Sequence, residues 1–128
     1  MKLLTLKRVQ NIKGEIYKIW DFFSSPLNLS KITPEWLNFV VVSPVSSKMY
    51  SGMVIEYRVS PILNIPIKWI TEITHVEEPY FFVDEQRFGP YKFWHHQHIF
   101  KEVDGGVEMT DLVHYILPYA PLDYFFES

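Results

Sequence analysis

From Leu37 to Leu117 the chain never returns to a helical period. Six segments there read as strands, rich in Val, Ile, Thr and aromatics: Leu37 to Pro44, Met53 to Ser60, Ile67 to Val76, Tyr80 to Phe88, Lys92 to Val103 and Val107 to Leu117. Ser51-Gly52, Pro61 to Pro66, Glu78-Pro79, Gly89-Pro90 and Asp104-Gly105 separate them with turn chemistry. Before this run, Leu3 to Ile12 alternates as a first strand, and Lys13-Gly14 interrupts it. Ile16, Ile19, Trp20 and Phe23 then recur at i, i+3, i+4 and i+7, the stripe of an amphipathic helix with Glu15 in its first turn. Ser25 as N-cap and Pro26 at the first helical position start a second, short helix that Thr33-Pro34 stops. One strand, two short helices and six further strands make an α+β meander with a seven-stranded antiparallel sheet.

At 128 residues the chain is long enough for a single domain spanning 1–128. Hydrophobic residues make up 48% and aromatics 17%, enough for a thick core or an aromatic-walled cavity. A net charge of −3 without a long basic run argues against nucleic acid as a partner. The absence of cysteine removes disulfides, thiolate metal sites and a Cys nucleophile together. No apolar run approaches the ~20 residues of a membrane helix, and the first residues meet charge too early for a secretory signal. A cytoplasmic location is the expectation.

Strand parity sorts the side chains into faces, because neighbours along a strand point oppositely. Odd positions face inward from Met53 to Val59 and from Ile67 to Val76, which brings Tyr57 and Trp69 to one side. The inward sets that follow hold Phe82, Asp84 and Gln86, then Trp94, His96, His98 and Phe100, then Met109, Asp111, Val113 and Tyr115. A two-residue type I′ turn at Asp104-Gly105 pairs Val103 with Gly106, and therefore His98 with Asp111, His96 with Val113 and Trp94 with Tyr115. A three-residue loop at Gly89-Pro90-Tyr91 pairs Phe88 with Lys92, Gln86 with Trp94 and Asp84 with His96. Two carboxylate–imidazole pairs result, Asp84–His96 and Asp111–His98, on one face. Such pairs orient a ligand or satisfy buried polar groups; they also serve general acid–base catalysis. His96-x-His98 with a carboxylate has donors within reach of one divalent ion, yet no other signature supports it, so no metal and no cofactor is expected. His95 and His114 take the opposite parity and are expected at the surface.

With these residues in place the chain resembles the START-like, Bet v 1-like SRPBCC superfamily, and within it the bacterial ligand-binding proteins related to polyketide cyclase/dehydrase domains. The resemblance rests on Pro26-Leu27-Asn28-Leu29, Ile32-Thr33-Pro34 and Trp36-Leu37, on Asp84-Glu85-Gln86, Gly89-Pro90-Tyr91, Trp94, His96, His98 and Phe100, and on Thr110-Asp111 with Val113 and Tyr115. It implies a helix-grip fold, in which a curved sheet grips a C-terminal helix around an apolar cavity. That helix would be truncated or very short here, since only Leu122 to Ser128 is left for it. Tyr57, Trp69, Phe82, Trp94, Met109 and Tyr115 would line the cavity and Asp84, Gln86, His96, His98 and Asp111 would orient a small hydrophobic molecule. Asp84, His96, His98 and Asp111 are the catalytic candidates if the chain is instead a cyclase or dehydratase. The Pro61 to Pro66 loop would rim the entrance or pack on a neighbouring subunit, and a second copy could cover the groove left by a short C-terminus.

Overall fold

The computed structural model describes residues 1–28, 38–60 and 65–117. Its sheet has seven strands, all antiparallel: β1 (Leu4–Lys13), β2 (Val40–Val41), β3 (Val54–Val59), β4 (Ile67–Glu77), β5 (Phe81–Phe88), β6 (Phe93–Val103) and β7 (Gly106–Ile116). Their order across the sheet is β1-β7-β6-β5-β4-β3-β2. The meander thus runs neighbour to neighbour from β2 to β7, and β1 closes on β7 with Arg8 opposite Asp111. β2 is shorter than the expected strand. The carbonyl of Glu56 receives N–H groups from both Val42 and Ser43, and Ser43 Oγ takes the Glu56 N–H at 3.0 Å, which ends the regular ladder.

The helix α1 (Ile16–Phe23) begins on an unusual cap. Glu15 accepts the N–H groups of Tyr17 and Lys18 at 3.0 and 3.2 Å, satisfying two donors of the first turn. Its inward stripe is the expected one: Ile16, Ile19 and Trp20 are buried and Phe23 is half-buried. Pro26–Asn28 forms one 3-10 turn, closed by Asn28 N–H donating to the Ser25 carbonyl. The rest of the expected second helix, the tip of the 61–66 loop and the expected C-terminal helix lie outside the described residues.

Two buried clusters line one face of the sheet. Under α1, Trp20 sets its edge against Phe82 and Phe100, with centroids 5.6 and 5.3 Å apart, above Val107 and Met109. Toward β3, Met53, Ile55, Tyr57 and Ile73 pack with Phe39 and Trp69. Odd positions face inward on β3, as parity requires. On β4 the parity changes: a register shift between Ile73 and His75 turns Val76, an even position, onto both clusters. A bulge adds one residue to one strand, so every side chain beyond it exchanges faces.

Candidate functional site

The β6–β7 register is the one the sequence predicts. Val103 opposes Gly106, His98 opposes Asp111, His96 opposes Val113 and Trp94 opposes Tyr115. The turn itself differs. Gly105 has φ +81° while Asp104 keeps a negative φ, the signs of type II and not of type I′; loop length, which sets the register, is unchanged. In β5–β6, Asp84 opposes His96 as expected. The expected pairs Gln86–Trp94 and Phe88–Lys92 do not form, and the ladder ends at Glu85–His95. The reason is a side chain acting as backbone. The Gln86 amide donates to the Tyr91 carbonyl at 2.6 Å and accepts the Tyr91 N–H at 3.1 Å, closing the loop itself.

Side chains then cross the register. The two short contacts are diagonal: His98 Nε2 to Asp84 Oδ2 at 2.6 Å, and His96 Nε2 to Asp111 Oδ1 at 2.9 Å. The directly opposed partners stand farther off, His96 Nδ1–Asp84 Oδ2 at 3.8 Å and His98 Nδ1–Asp111 Oδ1 at 3.4 Å. The expected pairs Asp84–His96 and Asp111–His98 are thus neighbours in register, with their hydrogen bonds exchanged. Rings on a pleated strand lean along it, and diagonal positions lie within reach of a side chain as long as histidine.

The two imidazoles stack at 3.7 Å, and His98 is also stacked on Phe82 at 3.9 Å. All four polar side chains are mostly buried, retaining 13–19% exposure. Burial alone would raise the Asp84 carboxyl, but the hydrogen bond from His98 and the charges of His98 and His96 hold it below its ordinary value. Asp111 is lowered in the same way, against burial, by His96 and His98. For His98, burial favours the neutral ring, but the hydrogen bonds and charges of Asp111 and Asp84 prevail and its pKa is raised. Arg8 lies 3.6 Å from Asp111 Oδ2, a buried oxygen with no hydrogen bond. Its part was hidden in the sequence, because β1 meets β7 through no turn that could fix a register.

Beside this tetrad lies an aromatic group. Tyr91 sits 4.8 Å from Trp94, 5.8 Å from Trp69 and 6.0 Å from Tyr115, and Trp69 meets Trp94 edge-on at 5.4 Å. Trp69, Trp94 and Tyr115 therefore come together as the parity argument has it, and all remain partly exposed. Tyr91, which that argument left in a loop, joins them because Gln86 holds its backbone. Phe82 and Met109 lie deeper, in the core beneath α1, and Tyr57 is buried against Phe39. Burial, with the nearby Asp84 charge, raises the Tyr57 phenol far above its ordinary value, so it stays protonated. His95 and His114 take the other face, where His95 lies 3.7 Å from Glu85.

Among the described residues, two open surface pockets lie elsewhere. One of about 420 Å³ runs along Ile12–Glu15 and α1, and one of about 230 Å³ lies over Tyr57, Arg58 and Lys68.

A sheet of this order with α1 laid across it is the helix-grip α+β fold of the START-like, Bet v 1-like proteins. The chain is similar to protein Ms6760 from Mycobacterium smegmatis, with a TM-score of 0.65 and 23% identity over 91% of this chain and 73% of that one. It is also similar to a Thermus thermophilus protein, TTHA0849, with a TM-score of 0.69 and 12% identity over 97% and 82% of the two chains. Ara h 8.0201 matches with a TM-score of 0.66 and 11% identity over 93% and 81%. At these identities the likeness is one of fold. No protein-family model matches the chain, and no curated protein does. Among the described residues no helix is long and apolar enough to cross a membrane.

Proposed function

We propose that residues 1–128 form one domain that binds a small hydrophobic molecule, aromatic, lipid or polyketide-like, against the face carrying the aromatic group and the Asp–His tetrad. The observation that carries this reading is their juxtaposition: partly exposed Trp69, Tyr91, Trp94 and Tyr115 adjoin polar groups that keep some exposure on the same face. Ligand sites combine a mostly apolar wall with a few convergent polar groups. Asp84, His96, His98 and Asp111 largely satisfy one another, and Asp111 Oδ2, which has no hydrogen bond, is the atom left to orient a ligand. Gln86 acts at one remove, by holding Tyr91 in the wall.

The test is native mass spectrometry of the purified protein before and after solvent extraction, followed by displacement of a fluorescent apolar dye. The expected result is a co-purifying or re-bound molecule whose affinity falls at least tenfold in Trp94→Ala. No binding of any apolar compound would overturn the reading. A second reading, a cyclase or dehydratase, is favoured by the 2.6 Å contact between His98 and Asp84, the geometry of a general base held by a carboxylate. The same spectra address a dehydratase, since turnover releases a species lighter by one water; a mass-neutral ring closure is read from a changed chromatographic retention of the released molecule, and release of an unaltered molecule argues for binding alone.

A further inference from the structure

The two stacked imidazoles present all four ring nitrogens to carboxylates, and the carboxylates lie along opposite ring edges. Along one edge, Asp84 Oδ2 faces His98 Nε2 and His96 Nδ1, at 2.6 and 3.8 Å. Along the other, Asp111 Oδ1 faces His96 Nε2 and His98 Nδ1, at 2.9 and 3.4 Å. A neutral imidazole has a single N–H, and its other nitrogen carries a lone pair. When Asp111 accepts an N–H from each ring, both lone pairs are turned to the Asp84 edge. Two imidazole nitrogens and one carboxylate oxygen then converge, within 4.8 Å of one another.

We propose that Asp84, His96 and His98 bind a divalent transition-metal ion, with Asp111 fixing both histidine tautomers from the far edge. A two-histidine, one-carboxylate set suits zinc, cobalt, nickel or ferrous iron better than the all-oxygen preference of magnesium or calcium. Metal-bound histidines commonly donate their second N–H to a carboxylate, and here one carboxylate lies within reach of both rings. The charges also fit. Arg8 answers Asp111, while the side chains set against Asp84 are the two imidazoles, so a cation on that edge faces one carboxylate and two imidazole nitrogens. Metal–nitrogen and metal–oxygen bonds of about 2.0–2.2 Å set neighbouring donors roughly 3.0–3.5 Å apart, so the His98–Asp84 contact opens from 2.6 Å and the His96–Asp84 contact closes from 3.8 Å. The site stands independently of any organic ligand, and the His96-x-His98 spacing alone does not reveal it: the shared carboxylate on the opposite edge does.

The experiment uses the full chain, stripped of bound organics and treated with a chelator, then titrated with Zn2+ by calorimetry and with Co2+ by visible absorption. One ion per chain at micromolar affinity or tighter is expected, with cobalt bands of a nitrogen- and oxygen-ligated centre. His98→Gln and Asp84→Asn, which nearly conserve shape, should abolish binding, while Asp111→Asn should weaken it about 10–100-fold. His95→Ala, whose ring faces Glu85 on the other side of the sheet, should leave it unchanged. Circular dichroism establishes that each variant is folded. No uptake by the wild-type chain, or uptake that survives in folded His98→Gln and Asp84→Asn, would overturn the proposal. Because no organic compound is present, the outcome is separate from that of the ligand-binding test.

Discussion

His98 touches every part of the site. Phe82 covers one face of its ring, His96 covers the other, and a carboxylate stands at each nitrogen. Its raised pKa and the lowered values of Asp84 and Asp111 have one origin, the exchange of charge and hydrogen bonds in a setting where burial alone would push each group the other way. The consequence for stability has a definite sign. The carboxylates contribute above their unfolded value of about 4, and that contribution is lost as pH falls through their lower folded values. His98 contributes in full below its unfolded value of about 6.5, and that contribution is lost as pH rises through its raised folded value. Metal-free protein should therefore be most stable between about pH 4 and 6.5 as far as this tetrad decides. Urea midpoints measured in chelator should fall from about pH 5.5 to about pH 8.5 in the wild type, and less so in His98→Gln. An equal fall in both would show that His98 carries no share. That carboxylates and imidazoles share a face was legible from alternation alone. Which carboxylate bonds which ring was not, because backbone register specifies opposed positions and rotamers then choose diagonal ones.

At the scale of the element, the β5–β6 connection shows how a loop can be built by one side chain. Gln86 bonds both backbone groups of Tyr91 and so replaces the ladder pairs that would otherwise continue the hairpin. Gly89 makes room for it: a Cβ there would press on the Gln86 amide, 2.8 Å from its Cδ. Gly89→Ala should displace the amide, release Tyr91 from Trp69 and Trp94, and lower stability by about 1–3 kcal/mol, the loss of the two Gln86–Tyr91 hydrogen bonds. Altered near-ultraviolet dichroism of the tryptophans with unchanged far-ultraviolet dichroism is the expected signature, and identical near-ultraviolet spectra would contradict it. The Gly-Pro-Tyr sequence marks a turn unambiguously. Its closure by an amide upstream of the turn cannot be read from turn chemistry, since a glutamine on an inward face reads equally well as a ligand contact.

At the scale of the whole molecule, α1 ties together strands from different parts of the chain. Trp20 joins the layers through edge contacts to Phe82 on β5 and Phe100 on β6, and Val107 and Met109 of β7 complete the floor. Trp20→Ala should cost about 3–5 kcal/mol by urea unfolding, in line with truncation of other buried aromatics, and a loss under about 1 kcal/mol would mean that the helix contributes little to the core. The part of this face away from α1 carries the tetrad and the aromatic group, so one surface serves as core at one end and as candidate site at the other. Local chemistry determined the elements, their order and the β6–β7 register: periodicity distinguishes helix from strand, and short turns leave a hairpin few ways to pair. The tertiary structure alone decided where β1 docks and brings Arg8 to Asp111, where a bulge reverses the parity of β4, and how four polar side chains divide their hydrogen bonds. These depend on contacts between residues far apart in sequence, whose geometry no local pattern carries.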